Sequence, residues 1–320
     1  MKKEHENVLL RGRISEMQRK IYTIEYDQGS VKAQLSGHFY KKTMDKPVVG
    51  DYVLFYKNTN GISLIKELLK RKSILKRPDQ SGHLAGYVKT MKEQVLAANF
   101  DYVFIMDSLN QNYNINRIMR YITTVLQSGA KPVVVLTKAD LCDNPDYYVR
   151  EVKQVSKQTD VFAISAVTGE GLEALKPYMR EETTIVFIGS SGVGKSTLVN
   201  AMAGKEIMKT SQIRVDDAKG RHTTTHRQLI TYPSGVTIID SPGIREIGMC
   251  DVEEGIEHTF PDILELKGQC RFSDCKHKTE PGCAIKQALA DGTLSRNRWN
   301  LYCNLTNEND WGTEKLARRR

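Results

Sequence analysis

The stretch Gly189-Ser190-Ser191-Gly192-Val193-Gly194-Lys195-Ser196 constrains the fold more than any other part of this chain. It fits G-x-x-x-x-G-K-[ST] at every specified position, follows the apolar run TIVFI and precedes the helix-forming run KSTLVNAMAG. Such a loop works only between a buried strand and a helix start. There its glycines let backbone N–H groups wrap a phosphate, and the helix N-terminus adds its dipole. Lys195 is then placed to neutralise β- and γ-phosphates and the Ser196 hydroxyl to meet Mg²⁺, with Thr197 next in the loop's set.

The surrounding sequence supplies the sheet this loop needs. From Asn99 onward YVFIMD (102–107) precedes INRIMRYITTVLQSG, PVVVLT (132–137) precedes a polar helical stretch near 146–157, and VFAIS (161–165) precedes GLEALKPYM. Uninterrupted apolar strands flanked by helices mark a parallel α/β sheet covered on both faces. Two more strands, QLITY and VTIID, follow around Pro233-Ser234-Gly235.

Before Asn99 the texture differs. VLLRGRI (8–14), IYTIEY (21–26), VKAQLS (31–36), DYVLFY (51–56) and ISLIKEL (62–68) read as five short strands, with turns at Asp27-Gln28-Gly29 and Asn60-Gly61. They suit a small barrel, oligonucleotide-binding (OB) or SH3-like. The net charge of +9 concentrates here: residues 1–80 hold 17 Lys+Arg against 9 Asp+Glu, and the rest hold 30 against 29. Six cations crowd between Lys66 and Arg77, and 78–86 reads as a linker. A domain-sized positive excess fits an anionic partner, nucleic acid first, or else a solvated basic face. No apolar run reaches the roughly 18 residues of a membrane span, and the amino end lacks a signal's apolar stretch, so a cytoplasmic protein is expected.

Other segments carry chemistry. Ile238-Ile239-Asp240-Ser241-Pro242-Gly243 is an apolar strand ending in Asp-x-x-Gly, where Asp240 can hold Mg²⁺ through water and the Gly243 amide can sense a γ-phosphate. In Gly220-Arg221-His222-Thr223-Thr224-Thr225-His226, one of Thr223, Thr224 and Thr225 can complete the Mg²⁺ shell as a switch, or the run is a β-branched edge strand. Thr137-Lys138-Ala139-Asp140 ends the strand PVVVLT; the Asp140 carboxylate can accept from guanine N1 and N2 while the Lys138 stem lies over the base. Ser165 and Ala166, ending the next strand, offer backbone contacts to guanine O6.

After about residue 250 the chain reads as helical, interrupted by Cys270-x4-Cys275-x-His277-x5-Cys283 and ending in Arg318-Arg319-Arg320. Three thiols and an imidazole are the soft set Zn²⁺ prefers. Four protein ligands leave no open position for water, so the expected site is structural.

The base-reading segments (137–140, 165–166) precede the phosphate loop. The recognition elements of a Ras-like GTPase therefore stand in permuted order, and the chain resembles the circularly permuted GTPases. With the barrel, GRHTTT, DSPG, the cysteine cluster and the VLAANFDYVFI and EPGC segments, it closely resembles the RsgA (YjeQ, YloQ) ribosome-biogenesis GTPases from about Gly50 onward. The resemblance implies an OB-like RNA-binding barrel over 1–78, a circularly permuted α/β GTPase domain over 79–248 and a helical zinc-binding domain over 249–320. It implies GTP hydrolysis, slow alone and stimulated by the small ribosomal subunit during late maturation. GTP or GDP with Mg²⁺, one structural Zn²⁺ and rRNA are the implied ligands, and the implied protein is a cytoplasmic monomer with no membrane contact.

Two departures stand out. Thr137 occupies the family's asparagine position, which is expected to weaken the tie to the phosphate loop. Ile244 follows Gly243 where Ras-like proteins place a water-orienting glutamine, so catalysis must be completed otherwise, with His222 or His226 as candidates. Two other classes compete. A nucleic-acid-binding protein with a vestigial nucleotide site is opposed by intact Lys195, Ser196 and Asp240, and no lipidation motif favours a signalling or targeting GTPase.

Overall fold

In the computed structural model the described residues are 8–37, 39, 45–78, 93–110, 112–206, 228–232, 234–240 and 252–317. Alternating apolar residues build the amino-terminal strands β1 (Leu9–Gln18), β2 (Ile21–Tyr26), β3 (Gly29–Leu35), β4 (Tyr52–Tyr56) and β5 (Ser63–Leu68). Ile14, Tyr22, Ile24, Ala33, Val53, Phe55 and Ile65 fill the interior with Phe39. The strand order β1-β2-β3-β5-β4 closes by pairing β4 back onto β1, and only β3 and β5 run parallel within it. This is the OB arrangement, which settles the choice between barrel types.

The next hairpin, β6 (Ile74–Pro78) with β7 (Glu93–Ala98), has no counterpart in the sequence reading; Leu75 and Leu96 pack into the core of the central domain. That domain contains β8 (Tyr102–Ser108), β9 (Lys131–Thr137), β10 (Asp160–Ala163), β11 (Thr184–Gly189), β12 (Gln228–Thr231) and β13 (Thr237–Asp240), in the order β10-β9-β8-β11-β13-β12. All neighbours are parallel except β12 and β13. Successive residues face opposite sides, so Val103, Ile105, Val186 and Ile188 pack on the side of helix α1 (Ile115–Gln127) and α2 (Pro145–Val155). Phe104, Met106, Ile185 and Phe187 pack on the side of α3 (Lys195–Ala203). Asn114 and Asn144 cap α1 and α2 by accepting the Arg117 and Tyr147 amides. The run GLEALKPYM forms a 3-10 segment (Leu172–Tyr178), because Pro177 within it has no N–H to continue an α-helix.

Barrel and central domain share one eleven-stranded sheet, since β1 also pairs with β12. The carboxyl-terminal helices are α4 (Glu253–Thr259), α5 (Pro261–Gly268), α6 (Ala284–Asp291) and α7 (Arg296–Ala317). Helix α4 lies directly on α1: a Cβ at Gly255 would sit 2.3 Å from the Thr123 carbonyl, and the Gly255 amide donates to Gln127 Oε1 at 2.7 Å. Arg298 reaches from α7 to Asp262 on α5 and to the carbonyls of Thr259 and Val155, fastening these helices to α2. Among the described residues no helix is long and apolar enough to cross a membrane.

Candidate functional site

The chain runs outward from β8 to β10, returns to β11 beside β8, and then passes to β12 on the other side before β13 fills the place between. Ligands in open α/β sheets bind at the carboxyl ends of strands where the order reverses, and the phosphate loop leaves β11 at that point. Gly189 lets β11 press against β8; a Cβ there would lie 2.6 Å from the Met106 carbonyl. Gly192 and Gly194 take positive φ of 74° and 98°, a turn that side chains resist. Gly194 precedes α3 and makes no side-chain cap, so the start of the helix that carries Lys195, Ser196 and Thr197 adjoins the loop without a capping side chain. Ser190, Ser191 and Val193 complete the loop, and of the three Val193 is buried.

At the tip of β9, Lys138 turns the chain in a left-handed conformation (φ 60°), and a 3-10 turn over Ala139–Leu141 leaves Asp140 exposed. The Ala139 amide donates to the Ile164 carbonyl (3.0 Å), and Ile164 returns a bond to Leu136 (2.8 Å), so the tips of β9 and β10 are locked together. The buried Ser165 hydroxyl accepts from the Val167 and Thr168 amides (3.3 and 3.2 Å), which shapes the loop that carries Ala166.

The Thr137 hydroxyl joins the two halves. It donates to the Val193 carbonyl at 2.6 Å, with the Asp107 carbonyl at 3.3 Å. The amide expected to be missed is thus replaced by a hydroxyl that keeps the tie. Asp240 ends β13 one residue beyond the Ile239–Val186 pair. His222, Thr223, Thr224, Thr225, His226, Gly243 and Ile244 lie outside the described residues, as do Arg318, Arg319 and Arg320.

Asp107 was not singled out from the sequence. Buried at the tip of β8, its Oδ1 lies 2.7 Å from Arg117 Nη2 and accepts the Ser108 amide at 2.9 Å. Burial pushes its carboxyl up against the pull of Arg117. The only signal was an acid ending an apolar strand at the centre of the sheet.

In the helical region Cys270, Cys275, His277 and Cys283 bring their ligand atoms within 4.8 Å of one another. His277 Nδ1 lies 3.6 Å from Cys270 Sγ and 3.5 Å from Cys283 Sγ, the spacing of ligands about 2.0–2.3 Å from one shared tetrahedral ion. Burial pushes Cys270 up, but the Ala284 and Ile285 amides at the start of α6 outweigh it and hold the thiol below its usual value. Burial drives Cys275 up to about 11. As metal ligands the three sulfurs would bind as thiolates, which at this separation need a cation among them, and burial, helped by Lys267, favours the neutral ligand form of His277. The donor set therefore fits one metal ion. Glu280, within the EPGC segment, accepts the Lys276, Lys278 and Thr279 amides at 2.9–3.0 Å and so shapes the ligand loop; backbone N–H bonds, its own included, hold its carboxyl down to about 2.

The basic run is partly spent on structure. Arg71 is bidentate to the buried Asp51 (2.8 and 2.7 Å), Lys72 pairs with Asp101 (2.7 Å) and Arg77 donates to Gln94 (3.0 Å).

Comparison with known proteins agrees with this geometry. The model of the family described as RsgA GTPase matches residues 68–250. Small ribosomal subunit biogenesis GTPase RsgA 1 of Listeria innocua is 41% identical over 93% of this chain and 83% of its own length. The protein of the same description from Methanosarcina acetivorans, RsgA, is 40% identical over 97% of this chain and 82% of its own. The crystal structure of YjeQ from Thermotoga maritima superposes with a TM-score of 0.69 at 28% identity, covering 93% of this chain and 97% of that one. YloQ, described as a circularly permuted GTPase, shares the fold with a TM-score of 0.65 at 24% identity, covering 96% and 97%.

Proposed function

The chain belongs to the RsgA GTPase family, and from that premise we propose that it hydrolyses GTP on the small ribosomal subunit during late maturation, with nucleotide state gating association and release. The observation that carries this reading is the bond from Thr137 to Val193, which brings a purine-reading strand tip and a phosphate loop to one sheet edge although their order in the chain is reversed.

In this reading Asp140 selects guanine, with Lys138 along the base, and Ser165 and Ala166 supply the O6 contact. The amides of 190–197 and Lys195 hold the phosphates. The Ser196 hydroxyl and, through water, Asp240 would hold Mg²⁺, which when bound neutralises charge between β- and γ-phosphates. One of Thr223, Thr224 and Thr225 and the Gly243 amide respond to the γ-phosphate. Ile244 has no polar group to orient water, so His222 is proposed to complete the site on the subunit, which accounts for slow turnover alone. The barrel over 1–78 and the helical domain over 249–320, stapled by one Zn²⁺ on Cys270, Cys275, His277 and Cys283, flank the GTPase domain (79–248) and contact rRNA. The protein works as a cytoplasmic monomer.

The test compares GTP with ATP turnover, with and without purified small subunits. GTP-selective turnover that rises with subunits is expected, and Asp140→Asn shifts preference toward xanthine nucleotides. ATP turnover equal to that of GTP, or indifference to subunits, refutes the reading.

A further inference from the structure

Besides Met17, which packs against the central core, strand β1 makes polar contact with the central domain at two places. At the first, the half-buried Arg13 leaves the barrel: its Nη2 donates to Thr184 Oγ1 (2.9 Å) and to the Asn99 carbonyl (3.0 Å), and its Nε to the Gly50 carbonyl (3.3 Å). These hydrogen-bond acceptors are all neutral. Thr184 opens β11, the strand that ends in the phosphate loop, and it is gripped from the other side as well. Its amide donates to Asp101 Oδ2 (2.9 Å), its carbonyl accepts the Asp101 amide (2.8 Å), and Asp101 Oδ1 lies 2.7 Å from Lys72 Nζ. Arg13 at the start of the barrel and Lys72 just past its end thus converge on the first residue of that strand.

The second place is a row across three strands. Glu16 of β1 pairs with Gln228 of β12, and Gln228 pairs with Asp240 of β13. With strands about 4.8 Å apart, the barrel backbone stands about 10 Å from the residue proposed to reach Mg²⁺. Gln228 also opens the strand that follows the 220–226 segment.

A guanidinium enclosed among neutral acceptors is a costly adhesive, because apolar side chains hold a joint without desolvating a charge. What it adds is direction, since its N–H groups are fixed in one plane and are lost together when the pose changes. We infer that β1 is the lever through which engagement of the barrel is felt at the nucleotide site, with Arg13 as the positioning residue that sets β11 through Thr184. This rests on the subunit-stimulated GTPase reading above, and neither residue belongs to the nucleotide-binding set.

The experiment measures GTP turnover of the full chain with and without small ribosomal subunits for wild type, Arg13→Met and Thr184→Val. Unstimulated turnover stays at the wild-type rate in both variants. The stimulated kcat falls by about 5-fold or more, the size usual for coupling between linked sites, while the subunit concentration for half-maximal stimulation does not change. The double variant loses no more than Arg13→Met alone, because the Arg13–Thr184 bond is already gone in that variant. Thr184→Val keeps the side-chain shape and removes only the acceptor, so it decides the matter should Arg13→Met fail to fold. Variants stimulated as strongly as wild type, or losing stimulation only through weaker subunit binding, overturn the lever. A wild-type chain that ignores subunits overturns the functional reading itself, which is a different result.

Discussion

The barrel meets the central domain through the β1–β12 strand pair, through Gly50, where a Cβ would lie 2.1 Å from the Ala98 carbonyl, and through Arg13, whose hydrogen bonds go to neutral acceptors. The helical domain meets it through Gly255, packed as tightly on α1, and through Arg298, which is also held by the Asp262 carboxylate. The Arg13 bonds of the first joint can be exchanged for others at modest net cost, since none goes to a carboxylate. At the second, Arg298 is tied to Asp262 as well as to backbone carbonyls; the close glycine packing is common to both joints, and packed interfaces hold one arrangement or another rather than bending through a range. The difference teaches which appendage can report a change. The helical domain follows 241–251 in the chain, which suggests that the Asp240 strand could swing it, but α4 is already fixed to α1 and Arg298 fixes α7 to α2. The barrel joint, whose guanidinium bonds only neutral acceptors, is the one expected to respond.

Four measurements can break or sharpen that contrast. The largest effect should come from metal removal: structural zinc sites carry about 10 kcal/mol or more of binding free energy. Chelation should therefore expose the 270–283 region to proteolysis and hydrogen exchange while the barrel stays protected, and about one zinc per chain should be released. Next, Arg71→Met strands the fully buried Asp51 and should cost about 3–5 kcal/mol in urea denaturation. The barrel should loosen first, and simultaneous loss of the helical domain would show the joints to be one unit. Third, Gly255→Val should cost about 1–3 kcal/mol by lifting α4 from α1; an unchanged midpoint would mean that joint is looser than its geometry.

The smallest effect is in pH, and its sign differs between the barrel and the helical domain. At Asp262 burial pushes the carboxyl up, but the bonds and charge of Arg298 outweigh it and hold it below the usual range. Its contribution is therefore present above the ordinary value of about 3.9 and fades as pH falls through the lower folded value. At Asp51 burial dominates and raises the carboxyl despite Arg71. Arg71 itself is held above its usual value by the same pair, against its own burial, so the more deeply enclosed carboxylate bears the larger loss. The wild-type advantage over Asp51→Asn should thus grow as pH falls, while that over Asp262→Asn should shrink. Parallel slopes in urea midpoints would contradict the assignment.

The sequence was most readable where chemistry fixes spacing within one short segment. The phosphate loop and the metal ligands need particular residues a few positions apart, and alternation marked the barrel strands because one face of each is buried. Strand partners were less readable: closure of β4 onto β1 and the parallel β3–β5 pair depend on residues far apart in the chain. Arg13, Gly255 and Arg298 carry no local signature, since what distinguishes each is a neighbour at least 36 residues away. At Thr137 reasoning from residue type counted a lost amide but not a hydroxyl able to reach the same loop. The run from Lys66 to Arg77 misled in the other direction, because charge alone does not tell a free cation from one already paired inside the fold.

The place of β11 between β8 and β13 also governs how the protein emerges during synthesis. Strands β8, β9 and β10 are complete some twenty residues before β11 begins, so the nascent chain displays the edge of β8 that later pairs with β11 as a row of unpaired N–H and C=O groups in an apolar strand. Premature termination just before Thr184 should leave that edge sticky, and such a fragment should aggregate or be held by chaperones rather than persist as a half-domain.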